Sequence, residues 1–176
     1  MIVISNNASK FISIPKTAIV RINLAWVKTT TQALNLIKKI NQPIYLDYPL
    51  NRTKHPQTKI SLKEAISIAR KAKNIAYFSF SNAEDCNIID LIKASIPNSI
   101  KLVPKIESLK GIQELEKIVK SASTNLIMVD REDLRAGLDS EVRFLKAISM
   151  LEKKCRKLKV DRLELEGVLF SNRRNF

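Results

Sequence analysis

KLVPKIES (residues 101–108) and, after a short helical pattern, NLIMVDREDL (125–134) decide the fold. Read with period two, Val103, Lys105 and Glu107 share one face of a strand, and Leu102, Pro104 and Ile106 share the other. On an unbroken second strand, Ile127, Val129, Arg131 and Asp133 share a face and Asp130 points away. Two strands joined through a helix read as parallel neighbours. A cation and two carboxylates then collect where the strands end, and the carboxyl ends of parallel strands are where sites form. Glu107 and Asp133 are candidate ligands of a hard divalent ion, Mg2+ or Mn2+, and Lys105 is placed to face charge on a bound anion. A salt-bridged strand end is the purely structural alternative for the same residues.

Outward from this unit, strand-like and helix-like segments alternate, the pattern of an α/β fold with a parallel sheet. The other strands are Ile2–Ser5, AIVRINLAW (18–26), PIYLDYPL (43–50) and NIAYFSFS (74–81). Arg21, Asn23 and Ala25 share a face of the second. As an interior arginine, Arg21 pairs with Asp47 or Glu107. Helices are expected over 31–40, 61–73, 81–96, from Gly111 to Ala122, and 139–158. Ser61 with Glu64, and Ser81 with Glu84, read as capping boxes. A helical piece over 10–16 is cut by Pro15. The last segment, VDRLELEGVLFSNRRNF, supplies part of a seventh strand around Gly167–Ser171. The expectation is one domain over 1–176: a partial or reduced TIM-type (β/α) barrel with six to seven parallel strands. A closed barrel needs eight. The edge is therefore left open, covered by a second copy in a homo-oligomer, or closed by strands hidden in the last segment.

A length of 176 residues suits one domain with a sizeable core. No apolar run reaches the 18 residues of a membrane span. The N-terminus lacks the basic-then-apolar pattern of a secretory leader. Cys86 and Cys155 lie far apart inside helical patterns, which suits reduced thiols in a cytoplasmic compartment. His55, before a proline in a polar loop, reads as a solvated histidine. The net charge of +14 admits nucleic acid or anionic metabolites as partners. The lysines, however, are scattered over every helix and dense only at KKCRK (153–157) and NRR (172–174), which argues against nucleic acid.

The pair KIES-x-x-G-I and IMVDREDL resembles the pyruvate kinase barrel, in which a strand ending in K-I-E is followed by a helix and then by I-M-V-A-R-G-D-L. The resemblance spans about residues 1–158. It implies that Lys105 lies near a transferred phosphoryl group and that Glu107 and Asp133 bind the divalent metal. Arg21 and Asn23 match the family's R-L-N-F-S, and Asp47 its L-D-T-K-G-P. That implies phosphate contact by Arg21 and a K+ ion on Asn23 and Asp47. Ala25 replaces the serine ligand of that ion, Tyr48 and Pro49 stand where threonine and lysine belong, and Glu132 replaces a glycine. Glu132 would repel the carboxylate of phosphoenolpyruvate by about 1 kcal/mol. The family's lid after the third strand is replaced by NRTKHPQTK (51–59), and no counterpart of its C-terminal domain is read. The implied activity is Mg2+-dependent binding of phosphoenolpyruvate or pyruvate, with the family's phosphoryl transfer weak or lost. A metal-dependent 2-oxo acid aldolase or lyase of the citrate-lyase-like type is the enzymatic alternative, because such barrels use a Glu and an Asp on successive strands and need no lid. Lys105 favours the kinase family. A non-catalytic basic assembly or RNA-binding protein is the third reading.

Overall fold

The computed structural model describes residues 2–5, 16–51, 55–166 and 169–171. In chain order the elements are β1 (Ile2–Ser5), β2 (Ile19–Asn23), α1 (Thr30–Lys38), β3 (Ile44–Tyr48), α2 (Leu62–Lys71), β4 (Ile75–Phe80) and α3 (Cys86–Ser95). They continue with β5 (Lys101–Ile106), α4 (Leu109–Gln113), α5 (Leu115–Ser121), β6 (Leu126–Val129), α6 (Arg131–Ala136), α7 (Glu141–Leu158), β7 (Asp161–Glu166) and β8 (Leu169–Ser171). Most of the helical piece expected over 10–16 lies outside the described residues.

The strands close into a barrel in sequence order. β1 to β7 run parallel, each paired with the next, and β8 runs antiparallel to both β7 and β1. The expected reduced TIM-type barrel is present, and the last segment supplies two strands instead of part of one. No open edge remains among the described strands, so edge protection gives no reason for a second copy.

β7 escapes a reading by apolar pattern because its outward residues are charged. Arg162 reaches Glu152 of α7 at 3.4 Å, and Glu164 lies 3.5 Å from Arg131 of α6. Ion pairs occupy the layer where other strands bury aliphatic side chains.

Two apolar layers follow from period two. Outward residues such as Ile22, Leu46, Phe78, Ile106 and Val129 pack against buried helix residues including Ala33, Ile68, Ile89, Ile118 and Leu151. Inward residues Ile19, Tyr45, Val103, Leu126, Met128 and Leu163 fill the lower barrel, with the Tyr45 and Tyr77 rings stacked at 6.0 Å. Burying such side chains contributes roughly 1.5–3 kcal/mol each before entropy is counted. Pro104, which has no N–H, sits in β5, and the β5–β6 ladder is registered only beyond it, at Lys105–Met128 and Ile106–Val129.

Helix starts follow local chemistry. Ser61 and Glu64 form the expected capping box of α2, with Ser61 N–H donating to Glu64 Oε2 at 2.8 Å. Ser81 and Glu84 do not form one. Asp85 caps α3 instead, accepting from Asn87 N–H at 2.9 Å. The 81–83 corner is stitched to both neighbouring strands, Ser81 N–H to Tyr48 O and Ala83 N–H to Lys105 O, and is unavailable for a helical turn. The helix expected from Gly111 to Ala122 begins earlier and is divided by a turn at Glu114 into α4 and α5. No helix among the described residues is long and apolar enough to cross a membrane.

Candidate functional site

Inward-facing residues change character toward the carboxyl ends of the strands. Below are aromatic and aliphatic side chains, and above them are Arg21, Asn23, Asp47, Ser79, Ser81, Lys105, Glu107 and Asp130, all buried. The alternation that turns Ile19 and Val103 inward also turns Arg21 and Lys105 inward, two residues further along the same strands.

Lys105 Nζ lies 2.8 Å from Glu107 Oε1 and 3.9 Å from Asp47 Oδ2, and it donates to Ser81 Oγ at 3.1 Å. Arg21 Nε donates to Asp47 Oδ2 at 2.8 Å, and Nη2 donates to the same oxygen. Of the two partners open to Arg21, the fold selects Asp47. Glu107 Oε2 accepts from the backbone N–H of Asn82 at 2.8 Å. Asn82 has φ 51°, a left-handed conformation that asparagine tolerates, and this corner turns its N–H toward β5.

Burial drives the Lys105 ammonium toward neutrality, but Asp47 and Glu107 outweigh it and the net pKa is raised. Burial also raises the Glu107 carboxyl, against the pull of Lys105 and the Asn82 N–H. Lys105 is therefore a fixed positive charge near neutral pH. Below this layer, burial raises the Tyr45 phenol far above its ordinary range, which leaves it a neutral packing group. The Cys155 thiol is pushed up to about 11, chiefly by burial, and is inert.

The sixth strand departs from the period-two expectation. β6 stops at Val129, and Asp130 becomes the N-cap of α6, accepting from Asp133 N–H at 3.2 Å. Ile127 and Val129 face the helices, whereas Met128 faces inward and Asp130 stands at the barrel mouth. Arg131 and Asp133 are not strand residues. Arg131 turns outward to Glu164 and lies over the Phe144 ring at 5.5 Å. Asp133 returns to the mouth from the first turn of α6. The result is a trio: ligand oxygens of Glu107, Asp130 and Asp133 all lie within 4.8 Å of one another. Period-two reasoning missed Asp130. The available signal was DREDL itself, an aspartate followed by an acidic first turn ahead of an apolar residue, which is how a helix starts.

An all-carboxylate donor set at this spacing, with lone pairs left over after the Asn82 and Asp133 N–H bonds, fits a hard divalent ion that keeps some of its waters. A K+ ion does not fit the residues named for it. Asn23 Oδ1 accepts from Ala25 N–H at 2.9 Å, and Asp47 already faces Arg21 and Lys105. Glu132 is exposed on α6. A cleft of about 420 Å³ is lined by Leu50, Asn51, Phe80, Asn82, Glu84 and Lys110, and of these Asn82 holds Glu107 of the trio through its backbone N–H.

No protein-family model matches the chain, and no curated protein does. Solved structures do. RipC from Yersinia pestis is similar with a TM-score of 0.61 at 14% identity, over 83% of this chain and 68% of its own. Macrophomate synthase is similar with a TM-score of 0.63 at 14% identity, over 82% of this chain and 62% of its own. The chain thus spans about two thirds of the length of these structures. At such identity the likeness shows the fold, a (β/α) barrel with its strand ends gathered at one mouth.

Proposed function

We propose that the barrel is a divalent-metal-dependent 2-oxo acid lyase or aldolase, with Mg2+ or Mn2+ held by Glu107, Asp130 and Asp133. The observation that carries this reading is the convergence of those three carboxylates at the open end of the barrel, beside the fixed charges of Lys105 and Arg21. When bound, the metal supplies Lewis acidity to the carboxylate and keto oxygens of a 2-oxo acid and favours its enolate. The chain's own residues orient and neutralise. Lys105, held by Glu107, Ser81 and Asp47, presents positive charge without giving up its proton. Arg21, braced by Asp47, does the same from β2. Such preorganised charge stabilises an oxyanion without reorganisation cost at the moment of reaction.

Carbon–carbon chemistry is favoured over phosphoryl transfer for two reasons. Only a short connection lies between β3 and α2, where a lid would have to cover a nucleotide. One of the similar structures named above is a synthase. Lys105 supports a second reading, a pyruvate-kinase-like barrel that binds phosphoenolpyruvate or pyruvate with little phosphoryl transfer.

Two assays separate them. With Mg2+ or Mn2+, pyruvate release from a series of 4-hydroxy-2-oxo acids is expected, and Glu107→Gln abolishes it. Robust pyruvate formation from phosphoenolpyruvate and ADP, with no release from any 4-hydroxy-2-oxo acid, would reverse the choice. Failure of Mn2+ to bind the wild-type protein at all would sink both.

A further inference from the structure

We propose that the face of the barrel opposite the mouth docks onto the phosphate backbone of a nucleic-acid duplex, without reading its sequence. Ten exposed cations that are scattered along the sequence come together on this face. In a parallel barrel a helix that leads into a strand ends where that strand begins, so the C-termini of α1, α2, α3, α5 and α7 meet at one face. Those last turns carry Lys38, Arg70, Lys71, Lys120, Arg156 and Lys157, all exposed. The connections and strand starts on the same face add Lys39, Lys73, Lys101 and Lys159, also exposed. The connections lie side by side: Ile44 N–H donates to Asn74 O, Asp161 N–H to Asn125 O, and Lys101 Nζ to Asn125 Oδ1 at 2.5 Å.

Helix dipoles account for a cation at each C-terminus. They do not account for the missing carboxylates. Turns 39–43, 72–74, 96–100, 122–125 and 159–160 contain no Asp or Glu, and among the described residues Asp161 is the exposed carboxylate at the strand starts. The pairing pattern is equally lopsided. Described ion pairs engage Arg21, Lys105, Lys110, Arg135 and Arg143 toward the mouth, with Lys117, Arg131 and Arg162 on the flank. None of the cations named on the opposite face forms an ion pair with a described residue.

The chemistry of the face selects the occupant. A protein interface needs apolar anchors at its centre. The exposed large apolar residues Trp26, Leu91, Leu109, Val142 and Leu145 all lie on the mouth side or mid-helix, away from this face. Single strands are held by stacking aromatics, and among the described residues none is exposed on this face. A broad field of unpaired cations interleaved with Asn, Ser and Thr is what a duplex backbone requires.

The test is fluorescence anisotropy of a labelled 20-base-pair duplex against salt, on the full chain. The wild type should bind with an affinity that falls with salt, its slope about 0.9 per phosphate neutralised. Charge reversal at Lys71, Lys120 and Lys157 to Glu should weaken binding at least about 30-fold at 0.1 M salt and flatten the slope by nearly three. The control reverses Lys28, Lys63 and Lys146, exposed cations off this face, and has the same net charge. It should retain most of the affinity. If the face variant does not fold, Lys→Gln at the same three sites carries the comparison. Equal losses in both triples, a salt-independent wild type, or tighter binding of a single strand of the same length would each overturn the proposal. Mn2+ binding at the mouth should be unchanged in the face variant, which keeps this test separate from that of the lyase reading.

Discussion

Two sets of buried charge sit on neighbouring sectors of this barrel, and only one has the makings of a site. On the flank, Arg131 and Arg162 face Glu152 and Glu164 between β7 and the helices, at 3.4 to 3.8 Å. Cations and carboxylates balance there, with Arg162 and Glu164 buried and Arg131 and Glu152 part-exposed. At the mouth, Arg21 and Lys105 share a layer with four carboxylates, Asp47, Glu107, Asp130 and Asp133, and a cleft opens at Asn82, which holds Glu107. Among these described residues the carboxylates outnumber the cations by two. Burial and ion pairing are common to both sectors, so neither identifies function. Surplus charge of one sign, converging where solvent can enter, is the distinguishing feature.

The largest expected effect tests how tightly each set is bound into the fold. Lys105→Met leaves Glu107 and Asp47 short of a buried cation and should cost about 3–5 kcal/mol in urea denaturation at neutral pH. Arg162→Met removes longer pairs, one to the part-exposed Glu152, and should cost roughly half as much. The raised Lys105 pKa fixes the sign of the pH dependence. Its contribution is complete below the ordinary lysine value of 10.5 and is lost as pH climbs through the higher folded value. Equal losses in the two variants would erase the energetic distinction between the sectors.

The second prediction asks which carboxylates matter. Asp130→Asn should weaken Mn2+ binding about 10- to 100-fold by calorimetry, whereas Glu164→Gln on the flank should leave it unchanged. Glu107 sharpens the test, because burial raises its carboxyl above the ordinary 4.5. A bound proton competes with the metal, so affinity should fall as pH drops through that raised value, before ordinary carboxylates titrate. An intact affinity in Asp130→Asn would return the site to Glu107 and Asp133 alone.

That second test also measures how far the sequence could be read. Lys105 and Glu107 were placed by parity because β5 alternates without interruption and its outward residues are apolar. Asp130 falls on the wrong face when the parity is anchored on Asp133, because Asp133 belongs to the first turn of α6 and not to the strand. Counted from the inward Met128, period two carries to Asp130. β7 was hidden for a different reason: alternation was present in DRLELE, but the outward positions hold Arg162 and Glu164, whose partners come from α6 and α7. Long-range pairs leave no local trace. The basic face needed topology above all, since Lys38, Lys71, Lys120 and Lys157 are neighbours only because successive helices end at one rim.

The smallest effect probes the corner that connects the cleft to the candidate metal ligands. Asn82 has φ 51°, donates its N–H to Glu107 Oε2 at 2.8 Å, and donates Nδ2 to Leu50 O at 3.1 Å. Asn82→Gly and Asn82→Ala both lose the side-chain bond, so the difference between them isolates the backbone. Glycine adopts this conformation freely, and alanine pays about 1 kcal/mol or slightly more. Asn82→Ala should therefore be less stable than Asn82→Gly by about that amount. If the left-handed turn is what aims the N–H, the alanine variant should also bind Mn2+ a few-fold more weakly, while glycine stays near wild type. A stability gap with identical metal affinity would mean that the corner supports the strands without orienting Glu107.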